Sequence, residues 1–202
     1  MDLKKRKEKF IEKKKQDIPM VVMERNFNML YAEPCDLYEE IGNDIKSINR
    51  IKDIEELYNV ENEKSAVIID MREKEYTPEM DDITLSKQLN SNLIVIAEDI
   101  ILENYQVFLH RVFGMDGVIF NTSYVDKQTI KDILLSSLLL GTTPILKFDN
   151  EDEMKKIEDW SMVKVVLINN KQLITNMPKN VKIISEEICE SGQKIDACIL
   201  KD

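Results

Sequence analysis

The stretch Asn92–Phe120, NLIVIAEDIILENYQVFLHRVFGMDGVIF, decides the fold. It opens with LIVIA (93–97), an unbroken apolar run of the kind that is buried on both faces of a parallel sheet. Tyr105, Phe108, Leu109 and Val112 follow at i, i+3, i+4 and i+7, which is one face of a helix. Gly114 is placed to end that helix. GVIF (117–120) then reads as the next strand. The unit is strand, loop, helix, glycine, strand. Glu98 stands at the end of its first strand, where an enzyme built on this pattern places a catalytic group.

Similar runs recur on both sides: PMVVM (19–23), AVIID (66–70), PILKF (144–148), VKVVLI (163–168), VKIIS (181–185) and DACIL (196–200). Helical patterns lie between them. Ile54, Leu57 and Tyr58 mark one. Asp126 is a candidate cap for another, lined by Ile130, Ile133, Leu134, Ser137 and Leu138 and followed by Gly141. Asn150 and Glu153 resemble a capping box. Eight strands alternating with helices predict a closed (β/α)8 TIM barrel, with PMVVM as strand one; the rival is an open doubly wound sheet. About ten residues separate the last two strands, too few for a full crossover helix. The expected fold is therefore a barrel trimmed at its C-terminal end, with helices seven and eight short or missing. Residues 1–18 form an extra N-terminal helix and residues 19–202 a single barrel domain.

The chain's 202 residues suit one domain with a real core. Its net charge of −10 argues against a general nucleic-acid binder. The exception is local: MDLKKRKEKFIEKKK (1–15) carries eight Lys or Arg against three acids. That segment reads as a solvated helix whose Leu3, Phe10 and Ile11 touch the body. No run approaches a membrane span, and the N-terminus has no apolar signal core. Cys35, Cys189 and Cys198 match no metal or disulfide spacing, which fits a reducing, cytoplasmic setting. There is no metal constellation, Gly-rich nucleotide loop or nucleophile elbow, so no cofactor is expected. His110, the lone histidine, falls mid-helix and reads as a surface residue. The methionines and Trp160 read as packing.

Several segments together resemble the indole-3-glycerol phosphate synthase family. EDIILENYQVFLHRVFGMDGVIF resembles that family's third unit, through Asp99, Ile100, Ile101, Tyr105, Gln106, Val107, Gly114, Asp116 and Val118. IDMREKEY (69–76) resembles its second-strand loop, FDNEDEM (148–154) its fifth, LINNKQL (167–173) its sixth, and ISE (184–186) the start of its seventh. The resemblance implies a ring closure on a carboxyanilino-deoxyribulose phosphate, with loss of carbon dioxide and water. It also implies a general-acid lysine on strand three, a general-base glutamate on strand five, and a carboxylate-binding lysine after strand one. Glutamates on strands one and seven, an asparagine on strand six, and phosphate-holding loops complete the set.

Matched position by position, Glu24 takes the place of the strand-one glutamate, and Asn26 stands where lysine is expected. Glu98 occupies the general-acid lysine position and Lys147 the general-base glutamate position, so the two charges have changed places. They can still meet as an ion pair across the mouth. Asn169 and Glu186 match the family, and Lys171 replaces an arginine. The phosphate loops are altered: FNMLYAEP (27–34) has no Ser-Pro-Ser, Glu187 follows Glu186, and ESGQ (190–193) keeps its Ser-Gly pair several residues late. The expectation is a divergent member of the family with ring closure very weak or lost. The alternatives are a non-catalytic binding or scaffold protein and a different lyase using Lys147 as a Schiff-base nucleophile. The expected ligand is a small anionic or aromatic metabolite, and the trimmed C-terminal end is the place for a protein partner or self-association.

Overall fold

Eight parallel strands close into one barrel in chain order, β1-β2-β3-β4-β5-β6-β7-β8. They are β1 Ser47–Ile51, β2 Ser65–Asp70, β3 Leu93–Asp99, β4 Gly117–Asn121, β5 Thr143–Phe148, β6 Val165–Ile168, β7 Lys182–Ser185 and β8 Ala197–Leu200. The computed structural model describes residues 2–26, 33–60, 65–76, 80–187 and 194–200. β1 pairs with β8 as well as with β2, and this closes the ring.

Side-chain alternation sorts each strand into an inside and an outside. Ile48, Ile96, Ile145 and Ile184, from the four odd strands, fill the interior, as do Ile68, Ile119, Leu167 and Ile199 from the even ones. The opposite parity, including Val67, Val95, Val118, Leu146 and Val166, packs outward against the helices. Leu37, Ile41 and Ile45, on and after the one-turn helix α3 (Leu37–Glu40), belong to the interior cluster and plug the N-terminal end. Gly117 makes room for that plug, since a Cβ there would collide with Cδ1 of Leu37.

The expected strand PMVVM is instead helical, which corrects the reading of residues 19–23. Met20–Asn26 forms α2, where the amides of Val22 and Met23 donate to the carbonyl of Pro19. Its apolar residues are not buried on two sides: Met23 is in the core, while Val21 and Val22 are exposed. The true first strand, SINRI, buries only Ile48 and Ile51, with the polar pair Asn49 and Arg50 between them. An unbroken apolar run is the wrong template for it.

The N-terminal helix α1 spans Leu3–Asp17. Straight-chain Lys, Arg and Glu favour it, and Pro19 lies just beyond its end. Lys7 and Ile11, one helical turn apart, are its buried contacts. Leu3, expected to touch the body, is exposed. The remaining helices are α4 (Asp81–Leu89), α5 (Asn104–Val112), α6 (Lys127–Leu140), α7 (Glu151–Met154) and α8 (Lys171–Ile174). Asp126 caps α6 by accepting from the amide of Thr129 at 2.8 Å, and Gly141 ends it at φ +68°. Asn150 caps α7 through the amide of Glu153. After β5 and β6 the helical layer is a single turn deep. Cys198 on β8 is disulfide-bonded, which corrects the reading that the cysteines match no disulfide.

Candidate active site at the barrel mouth

The inward parity that buries four isoleucines in one layer also sets the layer above it. Two residues further along the odd strands come Arg50, Glu98, Lys147 and Glu186. Around the ring their signs alternate, plus, minus, plus, minus. Arg50 Nη2 lies 2.6 Å from Oε2 of Glu98 and 2.5 Å from Oε1 of Glu186. Lys147 Nζ lies 3.5 Å from Oε1 of Glu98. The side chain of Glu98 is only 3% exposed, while those of Arg50 and Lys147 are 25% and 20% exposed. A nearly buried carboxylate needs such partners, because desolvation disfavours its charge.

The even strands add a polar collar. Asp70, at the end of β2, is opposite Glu98 in the sheet. It binds Arg72 through both oxygens, at 2.9 Å and 2.5 Å, and Arg72 Nη1 reaches to 3.5 Å from Glu98. Asn169, just past β6, donates to Glu186 at 3.3 Å and accepts from the Glu186 amide and the Ser185 hydroxyl. Burial raises the Glu186 carboxyl. The charges of Arg50 and Lys147 and the hydrogen bonds from Arg50 and Asn169 more than offset this, so it sits below its ordinary value. Asp70 is likewise held low, burial being outweighed by the hydrogen bonds and charge of Arg72. Arg72 is pushed up in return, chiefly by its hydrogen bond to Asp70. With Arg50, Arg72 and Lys147 against Glu98, Glu186 and Asp70, the cluster is internally neutral.

Glu98, Lys147, Asn169 and Glu186 are therefore gathered at one mouth. Glu24 is not among them: it is exposed on α2, because the segment that carries it is helical. Asn26 is the last residue of the same helix. The inward residue near the end of the true first strand is Arg50, and Lys52 follows that strand. A lysine thus does stand after strand one, which corrects the reading of Asn26 as its replacement. Lys171 opens α8 and is exposed. Arg50, Asp70 and Arg72 are the charges that sequence reasoning missed. The signal for Arg50 was its two-residue spacing from Ile48. The altered loops at 27–32 and 188–193 lie outside the described residues.

Asp99, the neighbour of Glu98, faces the other way. Its carboxylate is 2.7 Å from Lys7 Nζ, accepts from the Tyr76 hydroxyl at 2.5 Å, and lies 3.0 Å from His110 Nε2. Lys7 also donates to the carbonyls of Met71 and Lys74 and lies over the Tyr76 ring. Gln106 donates to Tyr76 and to the Ile100 carbonyl. His110 is fully buried, which corrects its reading as a surface residue. It lies on the inner side of α5, edge-on to Tyr76. Burial raises the Asp99 carboxyl, but the His110 hydrogen bond and the Lys7 charge outweigh it and leave it low. Burial first, then the charge of Asp99, drives Tyr76 well above its ordinary value, so it stays a phenol.

Among the described residues no group of three or more His, Cys, Asp or Glu could hold a metal ion. No described helix is long and apolar enough to cross a membrane.

No protein-family model matches the chain. It is similar to indole-3-glycerol phosphate synthases over a limited stretch. The one from Lachnospira eligens is 31% identical over 85 residues, covering 42% of this chain and 31% of that protein. The one from Salinibacter ruber is 27% identical over 81 residues, covering 40% and 30%. The tryptophan biosynthesis protein TrpCF of Vibrio cholerae is 26% identical over 114 residues, covering 50% and 24%. The matched segment thus spans about a third or less of these relatives. Solved structures agree on the barrel. A native KDPGal structure superposes with a TM-score of 0.57 at 12% identity, over 78% of this chain and 82% of that one. KGPDC from Streptococcus mutans gives 0.57 at 8% identity, over 77% and 87%.

Proposed function

We propose that this chain is a divergent barrel of indole-3-glycerol phosphate synthase type in which ring closure is lost or reduced to a trace. Its mouth serves as a polar site for a small anionic or aromatic metabolite in a cytoplasmic setting. One observation carries the reading. Where the resemblance asks for a proton-donating lysine, Glu98 stands nearly buried and clamped by Arg50. An ionised carboxylate accepts protons and does not donate them, and the ammonium of Lys147 opposite has the reverse defect. Each placed proton-transfer group contributes roughly 10²–10⁴-fold in rate, so two inverted groups remove most of the acceleration. Arg50 extends the inversion to strand one. Lys52 keeps a cation after that strand, which supports retained affinity for a carboxylate-bearing ligand. The neutral pairing at the mouth leaves less free positive charge for a phosphate.

The test is direct. Purified protein is incubated with the carboxyanilino-deoxyribulose phosphate and, separately, titrated calorimetrically with indole-3-glycerol phosphate. The expected result is no product above the uncatalysed background, with or without heat of binding. Turnover at ordinary enzymatic rates would refute the reading. Borohydride treatment with pyruvate present is expected to leave Lys147 unmodified; a trapped adduct on that residue would replace this reading with imine chemistry.

A further inference from the structure

The mouth cluster is neutral in charge, but its hydrogen bonds are not shared evenly. Every carboxylate oxygen in it already faces a donor. Oε2 of Glu98 accepts from Arg50 at 2.6 Å, and its Oε1 faces both Lys147 Nζ and Arg72 Nη1, each at 3.5 Å. Glu186 accepts from Arg50 on one oxygen and from Asn169 on the other. Both oxygens of Asp70 accept from Arg72. The cations are engaged less fully. An ammonium carries three N–H donors and a guanidinium five. Among the described residues Lys147 Nζ has one partner, at 3.5 Å, the outer limit of a hydrogen bond. Arg72 Nη1 meets only the same distant oxygen, and Arg50 Nε is buried with no partner. The cluster is therefore rich in donors. Depth adds to this: Glu98 is nearly buried, whereas Lys147 and Arg72 are partly open to solvent. A molecule entering from solvent meets these two cations before the carboxylate they cover.

We infer that the mouth takes a small monocarboxylate whose two oxygens accept from Lys147 and Arg72 above Glu98. The inference rests on the reading of the mouth as a ligand site, and it narrows that ligand to one headgroup. Lys147 on β5 and Arg72 just past β2 reach the same oxygen of Glu98 from different strands. They are close enough together for one planar carboxylate to accept from both. Hydrogen bonds of this charge-assisted kind are shorter and about twice as strong as neutral ones. The alternatives fit less well. A cationic ligand finds no carboxylate oxygen without a donor. A neutral amide brings one acceptor oxygen and adds two donors of its own, where donors are in surplus. A phosphate dianion loses more hydration, because the cost of desolvating an ion rises with the square of its charge, and a neutral cluster returns little net attraction for the second charge. The strand positions that carry the exchanged pair would thus have passed from moving protons to holding an anion.

Three probes that share one ring and differ in headgroup test it: benzoate, benzamide and phenyl phosphate. Acetate serves as a fourth, with no ring at all. Each is titrated into the full chain labelled with nitrogen-15, and the Nζ signal of Lys147 and the Nε signal of Arg72 are followed by NMR. Benzoate and acetate are expected to shift both signals, and benzoate to bind at least about tenfold more tightly than benzamide or phenyl phosphate, the range of a hydrogen bond to a charged group. Lys147→Met and Arg72→Met are each expected to weaken benzoate by about tenfold and to leave benzamide unchanged. Lys131→Met, on the exposed side of α6, removes the same charge far from the mouth and is expected to change nothing. A wild-type chain in which neither acetate nor benzoate moves the two signals overturns the inference, and this arm needs no variant. Benzamide or phenyl phosphate binding as tightly as benzoate overturns it too, as does wild-type affinity for benzoate in both mouth variants. Its failure is distinct from that of the reading beneath it: loss of headgroup preference leaves the absence of ring closure intact, and turnover of the carboxyanilino-deoxyribulose phosphate would refute that reading whatever benzoate does.

Discussion

Glu98 and Asp99 are consecutive on β3, yet they belong to two different regions. Strand alternation turns Glu98 into the barrel mouth and Asp99 into the shell outside the barrel. Both carboxylates are almost fully buried and both face cations. Their surroundings differ in one respect that matters. The cations around Glu98 are each a fifth to two fifths exposed, whereas the side chains of Lys7 and His110 around Asp99 are sealed. The outer network also ties a residue of the N-terminal helix to a strand more than ninety positions later. It has the features of a fastener: its Lys7, Asp99 and His110 side chains are closed off from solvent, and Asp99 is satisfied from several directions. The mouth cluster has the features of a site: neutral, alternating in sign, and reachable by solvent. Perturbed carboxylates are found in both, so perturbation alone does not locate chemistry; access does.

Removing the fastener's cation gives the sharpest test of this contrast. Lys7→Met leaves Asp99 buried with His110 and Tyr76 but without its ammonium partner. Breaking a buried pair from one side costs about 3–5 kcal/mol. Urea denaturation of the variant is expected to show a loss of that size at unchanged slope. The double variant Lys7→Met/Asp99→Asn is expected to recover part of it, since the uncompensated charge is gone. A loss under about 1 kcal/mol, the range of an exposed pair, would mean that α1 is docked by Ile11 and its apolar neighbours, with Lys7 incidental.

The same contrast explains what the sequence disclosed. β2 to β7 announced themselves because a strand buried on both faces must be apolar almost throughout, and LIVIA or VKVVLI leaves little choice; β8, buried on one face only, was still marked by the apolar run of DACIL. β1 did not, because SINRI buries only Ile48 and Ile51, and its inward Arg50 looks like solvent-facing polarity. Missing it moved strand one to PMVVM, and that shift produced the assignments of Glu24 and Asn26. Glu98 and Lys147 were legible as an exchanged pair because each lies inside an unmistakable strand. The partners that complete the ring, Arg50 and Arg72, were not. Nor was Lys7, one lysine among many in a basic segment, or His110, whose burial depends on which side of α5 meets Asp99. Contacts between distant segments leave no local pattern for periodicity to detect.

At the mouth a smaller effect is expected. Glu98→Gln removes the carboxylate that separates Arg50, Arg72 and Lys147, but these cations keep water. The expected loss is about 1–2 kcal/mol, between the values for exposed and buried pairs. It also has a salt signature that the fastener lacks. Half-molar salt shortens the screening length to a few ångströms. The destabilisation by Glu98→Gln is expected to shrink under these conditions, because the freed cations repel each other less. The Lys7→Met loss is expected to be salt-independent. Equal salt sensitivity of the two variants would erase the distinction between an open and a sealed cluster.

Acid provides the finest separation. Asp70, Asp99 and Glu186 are all held below their ordinary values in the folded chain. A carboxylate depressed by folding stabilises the native state above its unfolded value, and that contribution is lost as pH falls through the lower folded value. The unfolded values lie near about 4, so the loss begins there and grows toward lower pH, where the unfolded chain binds more protons than the native one. Glu186→Gln deletes one of the three groups and the proton uptake that goes with it. Its stability is therefore expected to fall less steeply below about pH 4 than that of the wild type, by less than one proton's worth of slope. Because Glu186 touches Arg50 at a partly open mouth, the change at neutral pH is expected to stay within about 1 kcal/mol. Chemical denaturation midpoints between pH 3 and pH 7 measure both quantities. An acid limb that keeps its wild-type slope in the variant would show that Glu186 does not take up its proton on unfolding, and that Arg50 serves Glu98 alone.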